Sequence, residues 1–343
     1  MKDLIIQKTS LEVYEYFSSF AEMESPETLV VSTTNDFNIL NHIGEIKVVV
    51  NLSRVNDIRY LNKFFESVNF KLKKNGRFIC CLETFSARKE RKSIGKIPIL
   101  RNIYFGVEFI FMRVFPKVAG LKKIYFLLTR GRNRVLSKAE VLGRLVSCGF
   151  EIDGYYSFNG LLYVITKKIK APEFNMNASY GPLYKMPRIG KNGKIIGVYK
   201  FRTMHPYAEY LQSYVLKNNG YNEKGKPADD FRLTPWGKFL RKYWLDELPQ
   251  LINVFKGEMS IIGVRPISET RFNEFPNELQ EKRKKIKPGC IPPYVSLNMP
   301  DDLGNIEAER IYLESLEKNP FTTKIKFFFM ALYNIFTNKI RSA

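Results

Sequence analysis

The sequence is poor in the residues from which metal clusters, disulfide frameworks and membrane-spanning helices are built. It has two histidines, His42 and His205, and four cysteines, and no cysteine pair has the spacing of a zinc site. We therefore expect free thiols in a reducing cytoplasm. No uninterrupted run of about 18 apolar residues occurs, so an ordinary membrane-spanning helix is not expected. The start, with its acidic residues and no long apolar core, does not read as a signal peptide.

Acidic residues are also scarce, because 34 Asp and Glu stand against 55 Lys and Arg, giving a formal net charge of +21. Such a balance implies an anionic partner: nucleic acid, acidic lipid or a phosphorylated small molecule. A nucleic-acid-binding protein would interleave stacking aromatics with surface cations, whereas most aromatics here fall on periodic apolar faces. We therefore expect no nucleic-acid partner, and the aromatic fraction of 14% favours contact with a membrane interface.

Residues 1–170 have the pattern of an α/β domain. Short β-branched segments predict buried strands, and a 3.6-residue apolar period predicts a helix over 56–74 that ends at Gly76. Ser137 followed by Glu140 has the spacing of a capping box and predicts a second helix. The predicted strands are Thr28–Val31, Lys47–Leu52, Arg77–Thr84, Phe150–Tyr156 and Leu161–Lys167.

The order of these elements over 47–167 resembles the C-terminal half of a class I methyltransferase core, a Rossmann-like fold. Such enzymes need a glycine-rich turn after the first strand, where the backbone approaches the cofactor closely. Here Gly44 is the only glycine before residue 76. The first domain is therefore predicted to be a degenerate, methyltransferase-like domain with a structural or regulatory role.

An insertion over 88–134 interrupts this domain. It begins with a basic run and continues with an apolar helix over 97–118, on which apolar side chains lie on both sides. Basic flanks beside such a helix favour contact with anionic lipid headgroups. A core helix of the first domain is the alternative. The basic run is Arg88, Lys89, Arg91, Lys92 and Lys96.

Periodicity lapses over 171–180, a segment containing Pro172 and several Asn and Ser residues. A domain boundary is predicted there, with a first domain over 1–170 and a second over 171–343.

The second domain carries the strongest chemical signals. Asn192–Gly193 is a favoured two-residue turn, which predicts a hairpin over 188–204. Alternation along its second strand puts Lys200 and Arg202 on one face, where two cations suit a diphosphate. On a strand without further signals, such a pair of cations would more often be exposed to solvent with no binding role.

Thr234 followed by Pro235 predicts a helix start, and a second helix is predicted from Asp246 to about Gly257. Asp246 and Glu247 are then expected at a helix N-terminus, a position that favours phosphate binding nearby. An isolated Asp-Glu pair is commonly a helix cap. Two flanking arginines and an apolar frame favour a metal–phosphate site instead; the arginines are Arg241 and Arg265.

These segments together resemble the catalytic domain of the bacterial sugar transferases, the monotopic phosphoglycosyl transferases. The resemblance covers about a third of the chain, most of 181–289. It implies an α+β catalytic domain with interfacial helices. The matching segments are GPLYKMPRIGKNGK, VYKFRTM, TPWGKFLRKYWLDELPQLINVFKGEMSIIG, VRP and KPG.

The resemblance implies a reaction and a location. Asp246 would attack the sugar-bearing phosphorus of a UDP-sugar, UMP would leave, and polyprenyl phosphate would accept the phosphosugar. Glu247 matches the acid that holds Mg²⁺, and Lys200, Arg241 and Arg265 match basic residues of the family's active site. Arg202 is added here as a phosphate-binding candidate. The family starts capsule, exopolysaccharide and O-antigen assembly, which implies the cytoplasmic face of the bacterial inner membrane and downstream glycosyltransferases as partners.

Two departures from the family pattern support an alternative, a non-catalytic relative that binds a nucleotide sugar or glycan lipid. Val264 stands where the family usually has Pro, which bears on how Arg265 is presented. After Gly289 the chain continues CIPPYVS where the family has a Thr-Gly turn, which bears on acceptor or sugar contacts. The apolar tail over 320–342 is predicted to be a helix that either contacts the membrane or docks on the catalytic domain.

Overall fold

The computed structural model describes residues 1–92, 98–118, 120–174, 181–220 and 228–337. The chain divides into two compact units. Unit 1 comprises Met1–Gly181 and His205–Arg232, and unit 2 comprises Pro182–Met204 and Leu233–Ala343. The segment 205–232 lies in the second of the domains predicted from sequence, yet it packs in unit 1, because Leu211 and Val215 belong to that unit's apolar core.

Unit 1 is built on a five-stranded mixed sheet, as the α/β prediction requires. Its strand order is β1-β2-β3-β5-β4, with β1, β2 and β3 parallel and β5 antiparallel to both β3 and β4. The strands are β1 Thr28–Val31, β2 Ile46–Arg54, β3 Leu72–Leu82, β4 Phe150–Phe158 and β5 Leu161–Lys168. The helices are α1 Lys2–Lys8, α2 Leu11–Ser18, α3 Phe37–Leu40, α4 Leu61–Lys71, α5 Phe85–Arg91, α6 Pro98–Phe109, α7 Leu121–Thr129, α8 Lys138–Ser147 and α9 Gln212–Asn219.

Apolar side chains cover both faces of this sheet, which is why its central strands read as continuous apolar runs. On one face, Val49 and Phe78 pack with α4 and α8; on the other, Val50 and Ile79 pack with α2. All four of these strand side chains are fully buried.

Most local predictions for unit 1 are confirmed. The five strands and both helices are present, and Ser137 Oγ accepts a hydrogen bond of 3.1 Å from Glu140 N at the start of α8. The third strand begins at Leu72 and not at Arg77, and the helix predicted over 56–74 is the shorter α4. The prediction that Gly76 ends the preceding helix is wrong: α4 ends at Lys71, and Gly76 lies inside β3. The chain passes from α4 into β3 without a glycine-capped loop, and the methyltransferase resemblance stays a prediction.

The insertion forms α6, a π-helical turn over Ile110–Val114, a 3₁₀ turn over Phe115–Lys117, and α7. Phe105 and Glu108 are buried against unit 1, whereas Ile103, Val107 and Ile110 are exposed. The insertion helix therefore has one packed side and one exposed apolar side, so neither a core helix nor a fully lipid-facing helix describes it.

The basic run before α6 is mostly used inside unit 1. Arg88 is buried and pairs with Glu83 and Glu108, at 3.4 and 3.0 Å. Arg91 pairs with Glu83, and Lys92 pairs with Glu108. The expectation that this run is available to lipid headgroups is therefore wrong for Arg88, while Lys96 lies outside the described residues.

Unit 2 combines short strands with helices. Its strands are β6 Leu183–Ile189, β7 Ile195–Phe201, β8 Ser260–Ile262 and β9 Gly289–Ile291; β6 pairs antiparallel with β7, and β8 pairs parallel with β9. Its helices are α10 Pro235–Lys242, α11 Leu251–Phe255, α12 Glu269–Asn273, α13 Asn277–Lys284, α14 Pro293–Leu297, α15 Asp302–Lys318 and α16 Pro320–Phe336.

The tail helix α16 both docks and remains partly exposed. Phe327 and Ala331 are buried in the apolar clusters of unit 2. Ile325, Phe329 and Phe336 are exposed on its outer side. In the part of the chain that the structure describes, no helix is both long and apolar enough to cross a bilayer.

Candidate active site

The acidic pair lies in a 3₁₀ segment, Leu245–Gln250, that runs directly into α11. The prediction of an α-helix starting at Asp246 is therefore wrong. Trp244, just before the segment, has a left-handed backbone with φ 54°, and Pro249 lies inside it and has no N–H to donate. The chain therefore reverses at Trp244 and then makes a tight 3₁₀ turn that positions Asp246 and Glu247. These two residues do not lie at the N-terminus of a regular α-helix.

Asp246 is buried with a polar atom left without a partner. Its side chain is 8% exposed, and Oδ1 accepts no hydrogen bond from any described residue. Burial raises the pKa of this carboxyl, and the negative Glu247 adds to the increase, while Lys200 and Arg241 oppose it. A buried carboxylate oxygen without a donor is costly, so such an atom is a candidate for a reactive or ligand-binding role.

Lys200 and Glu247 form a close ion pair. Lys200 Nζ lies 2.5 Å from Glu247 Oε1, and both side chains are partly exposed. Lys200 comes from β7, where it lies opposite Tyr184 of β6. The predicted hairpin is confirmed, but its loop is longer than two residues, because a 3₁₀ turn over Lys191–Gly193 separates the strands.

Asn253 fixes α11, and with it the acidic pair, to β7. It is fully buried; its Nδ2 donates to Gly197 O at 2.9 Å, and its Oδ1 accepts from Tyr199 N at 3.0 Å. A third bond of 2.6 Å reaches Glu258 Oε2. Sequence reasoning did not single out Asn253, and its only signal was a lone polar residue among Leu251, Ile252, Val254 and Phe255.

Arg241 is held in place by the start of α10. The predicted cap is confirmed, since Thr234 Oγ1 accepts from Gly237 N at 2.9 Å. Thr234 also donates to Thr203 O, and Arg241 Nε donates to Thr203 Oγ1 at 3.0 Å. A side chain at Gly237 would put Cβ 2.1 Å from Thr203 O, so only glycine permits this approach.

The Tyr184 hydroxyl is influenced by the charges of Asp246 and of nearby arginines. Burial raises the pKa of its hydroxyl, while Arg241 and Arg202 lower it and the charge of Asp246 raises it. The Arg202 guanidinium lies 5.2 Å from the Tyr184 ring centre. Arg188 also acts on this hydroxyl. The sequence analysis named neither Tyr184 nor Arg188 as a site residue, although both lie in the segment that carries the resemblance.

Arg265 lies shortly after β8. Its backbone is clamped: its N donates to Glu309 Oε1 at 3.1 Å, and its O accepts from Arg283 at 2.6 Å. Its guanidinium lies 5.8 Å from the ring centre of Tyr294, a residue whose hydroxyl also senses the charge of Glu247. Val264, the departure from the family pattern, is buried in the apolar core, and Arg283 and Glu309 hold the backbone of Arg265.

Two cavities adjoin these residues within unit 2. An apolar cavity of about 250 Å³ has Glu247 in its wall; it is otherwise lined mainly by Trp244, Leu248, Leu251, Ile261, Pro292, Tyr294 and Ile335. A polar cavity of about 210 Å³ is lined by Arg188, Arg265, Ser268, Arg271, Phe275, Asn305 and Glu309, among others. Cys290, Ile291 and Pro292, from the second departure, line the apolar cavity.

The chemistry of the acidic pair suits a magnesium ion that is also bound by a substrate. Glu247 and the unpartnered Asp246 Oδ1 are hard oxygen donors, and Mg²⁺ is commonly bound by one or two carboxylates together with substrate phosphates. The described residues contain no group of three or more His, Cys, Asp or Glu that could hold a metal ion.

Comparison with known proteins identifies the family. The model of the bacterial sugar transferase family matches residues 157–337, so the chain belongs to this family. The galactosyl transferase CpsE of Streptococcus agalactiae serotype III is 41% identical over 111 residues, which cover 32% of this chain and 24% of that protein.

Two further relatives have names that describe a reaction. The undecaprenyl-phosphate galactose phosphotransferase of Salmonella typhimurium is 26% identical, with 68% of this chain and 46% of that protein covered. The UDP-glucose:undecaprenyl-phosphate glucose-1-phosphate transferase of Escherichia coli K12 is 35% identical, with coverages of 47% and 34%. The chain thus spans less than half the length of each of these relatives.

A solved structure of an O-methyltransferase family protein from Burkholderia thailandensis aligns with 40% of this chain and 34% of its own. Its sequence identity is 13% and its TM-score is 0.23, which is too low to establish a shared fold.

Proposed function

We propose that this protein transfers a sugar-1-phosphate from a UDP-sugar to a polyprenyl phosphate through a covalent phosphosugar–Asp246 intermediate. The observation that carries the proposal is the buried Asp246 Oδ1, which has no hydrogen-bond donor among the described residues and is electrostatically coupled to Lys200 and Arg241. Family membership and the names of the Salmonella and Escherichia relatives support the substrate classes.

In the first step, an Asp246 oxygen attacks the sugar-bearing phosphorus. The new O–P bond replaces the bond to the bridging oxygen, and UMP leaves with that electron pair. Because two anions must meet, the approach requires compensating positive charge, which Lys200 and Arg241 supply. A covalent intermediate of this kind divides one difficult displacement into two easier ones.

In the second step, a phosphate oxygen of the polyprenyl phosphate attacks the same phosphorus and releases the Asp246 carboxylate. The product is a polyprenyl-diphosphate sugar. The apolar cavity beside Glu247 suits the first isoprene units of such an acceptor, because its wall is formed by Trp244, Leu248 and Ile335.

The polar cavity suits the leaving nucleotide. Arg188, Arg265 and Arg271 contribute to its wall, and arginine is well matched to phosphate through paired N–H donors. Asn305 Oδ1, also in this wall, has no hydrogen-bond partner among the described residues and can accept from a base or sugar N–H or O–H.

Magnesium is part of the proposal. Glu247 would hold the ion, and Mg²⁺ bound there would offset negative charge on the diphosphate. Lys200, which pairs with Glu247, would supply further positive charge.

The exposed apolar side chains of α10 and α11 support a membrane-surface location. Trp236 and Phe239 lie at helical spacing on α10, Tyr243 directly follows the helix, and Phe255 of α11 is 89% exposed. Exposed lysines flank them, a combination that suits an anionic lipid surface. We place the enzyme at the cytoplasmic face of the inner membrane, as a monotopic or peripheral protein that starts a capsule, exopolysaccharide or O-antigen glycan.

The test is acceptor-free turnover. Purified protein, Mg²⁺ and a panel of UDP-sugars should release about one UMP per enzyme with the correct sugar, because the intermediate has no acceptor. Adding undecaprenyl phosphate should convert this burst into continuous release. Intact-protein mass spectrometry should show the sugar-phosphate adduct, mapped to the Asp246 peptide.

The Asp246→Asn variant is expected to give neither burst nor adduct, while Asp3→Asn, the same chemical change at an exposed residue of unit 1, should retain both. A burst of wild-type size from Asp246→Asn would exclude Asp246 as the nucleophile. UDP-sugar binding without UMP release for any sugar would favour the non-catalytic relative.

A further inference from the structure

Unit 1 contains a cavity that the proposed transfer reaction does not use. It has a volume of about 660 Å³, and six of the described residues that line it are cationic while one is acidic. We call it the Arg134 pocket. Its charged residues are Arg59, Lys63, Arg113, Lys122, Arg134, Arg144 and Glu140.

The pocket lies where sheets of this type bind ligands. Arg59 and Lys63 follow the carboxyl end of β2, and Arg134 is tied to the same loop through 3.2 Å and 3.4 Å bonds to Ile58 O and Arg59 O. Asn56 Nδ2 bonds both Glu83 O, just after β3, and Arg134 O. Open α/β sheets bind ligands at the carboxyl ends of their parallel strands.

Two of the cations are neutralised within the protein. The carboxylate of Glu140 pairs with Arg113 at 2.8 Å and with Arg144 at 2.9 Å, and all three side chains are buried. These three side chains form part of the pocket wall.

The other cations outnumber the acidic residues of the described pocket wall, where Glu140 stands beside six cations. Arg134 donates to the backbone carbonyls of Ile58 and Arg59; burial and the neighbouring charge of Arg144 lower its pKa, while the charge of Glu140 raises it. Lys63 and Lys122 are exposed at the rim. A cation destabilised by burial and by a second cation gains stability when an anion enters.

The remainder of the wall is apolar. Met112, Pro116 and Phe126 line it, and Phe126 lies 4.8 Å from the Arg59 guanidinium. Lys122 and Phe126 face the pocket from one side of α7, whereas Ile124, Leu127 and Leu128 of the same helix are exposed. A ligand with a phosphate and an apolar part would match this mixture.

We propose that the Arg134 pocket is a second, non-catalytic site that binds a phosphate or diphosphate group, carried by a lipid or by a soluble nucleotide. Arg134, Lys63 and Lys122 are the binding residues. This inference goes beyond the proposed transferase activity, because none of these residues belongs to the candidate active site in unit 2.

The test measures the reactivity of two lysines in the pocket itself, so phosphate binding in unit 2 does not change the result. The full chain is treated with an amine-acylating reagent, and acylation of Lys63 and Lys122 is followed by mass spectrometry. The probes are inorganic pyrophosphate, UMP, and vesicles of either phosphatidylglycerol or phosphatidylcholine. Lys8 and Lys74, two exposed lysines of unit 1 outside the pocket, are internal controls.

A bound phosphate group should slow acylation of Lys63 and Lys122 by about tenfold, the scale of one charge-assisted contact, and leave Lys8 and Lys74 unchanged. Protection by pyrophosphate or UMP identifies a soluble ligand, and protection by phosphatidylglycerol vesicles alone identifies a lipid. No protection by any probe overturns the proposal, as does equal protection by phosphatidylcholine, which would be simple shielding.

Two variants separate binding from folding. Arg134→Gln should abolish protection of both lysines. Because Arg134 also supports the loop after β2, Lys63→Gln serves as the second variant; it removes an exposed side chain and should weaken protection of Lys122. Unchanged protection in folded Lys63→Gln and Arg134→Gln would overturn the assignment. Asp246→Asn should keep full protection, so that failure of the proposed transferase chemistry and failure of this site are distinguishable.

Discussion

Glu140 and Glu83 in unit 1 and Asp246 in unit 2 are buried carboxylates that differ in how their oxygens are paired. In unit 1, both oxygens of Glu140 are paired with arginine, and Glu83 is paired through one oxygen with Arg91 and through the other with Arg88. In unit 2, Asp246 is similarly buried, but its Oδ1 has no hydrogen-bond donor among the described residues. Glu108 of unit 1 also has one such oxygen, but Arg88 and Lys92 pair with its other oxygen. A satisfied buried charge holds a fold together, whereas an unsatisfied one is a cost that the fold carries for a ligand or a reaction.

The largest effect that separates these two kinds of carboxylate is on stability. Glu140→Gln leaves Arg113 and Arg144 buried without their counter-charge and should cost about 3–5 kcal/mol of unfolding free energy. Asp246→Asn should cost little, because the pKa of Asp246 is raised in the folded state. Above that pKa its ionised form opposes folding, a penalty that Asn lacks.

Denaturant unfolding of the two variants beside wild type measures this difference. The exposed pair Glu278–Lys282 supplies a control, since Glu278→Gln should change stability only slightly. If Glu140→Gln were as stable as Asp246→Asn, pairing would not distinguish the two carboxylates.

The next effect is on kcat, and it depends on how firmly α11 holds the acidic pair in position. Asn253→Ala removes three hydrogen bonds that join α11 to β7 and to Glu258, and should lower kcat by about tenfold with little change in KM. Asn69→Ala is the matched control, since Asn69 is a buried residue of unit 1 that donates to Cys148 O and Lys170 O.

Both variants should lose similar stability by denaturant unfolding, but only Asn253→Ala should lose kcat when UMP release is measured under folding conditions. Equal kcat in the two variants would reduce Asn253 to a structural residue.

A smaller effect is expected on membrane binding, and it allows the exposed apolar surfaces of the two units to be compared. Phe239→Glu with Phe255→Glu in unit 2 should weaken binding to phosphatidylglycerol vesicles by about tenfold, since two partly inserted rings together contribute on the order of 1–2 kcal/mol. Ile103→Glu with Val107→Glu tests the insertion helix in the same way. Vesicle sedimentation measures both, and a loss confined to the second pair would assign the main membrane contact to unit 1.

The smallest effect is a shift in pH dependence. The nucleophile must be ionised, so UMP release should rise with pH through the raised pKa of Asp246. Lys200 lowers that pKa, and Lys200→Met should therefore move the acidic limb of the pH–rate profile to higher pH. Lys191→Met, in the exposed hairpin turn, should leave the limb in place. A shift to lower pH in Lys200→Met would contradict the assignment.

Local features of this fold were predictable from sequence because short-range chemistry determines them. The Thr234 and Ser137 caps and the hairpin over 183–201 needed only neighbouring residues. Two local predictions were wrong because they depend on more distant context. Gly76 does not end a helix, because β3 continues through it. No α-helix starts at Asp246, because Trp244 has a left-handed backbone and a proline-containing turn follows it.

The sequence by itself identified the family and the acidic pair, since the family segments are contiguous and their residue types are specific. The tertiary structure alone decided which buried charges are paired, because Glu140 meets Arg113 from 27 residues away and Glu247 meets Lys200 from 47 residues away. The unpartnered oxygen of Asp246, the Asn253 clamp and the Arg134 pocket belong to that second class. Pairing and burial are properties of packed side chains from distant segments, and no local spacing encodes them.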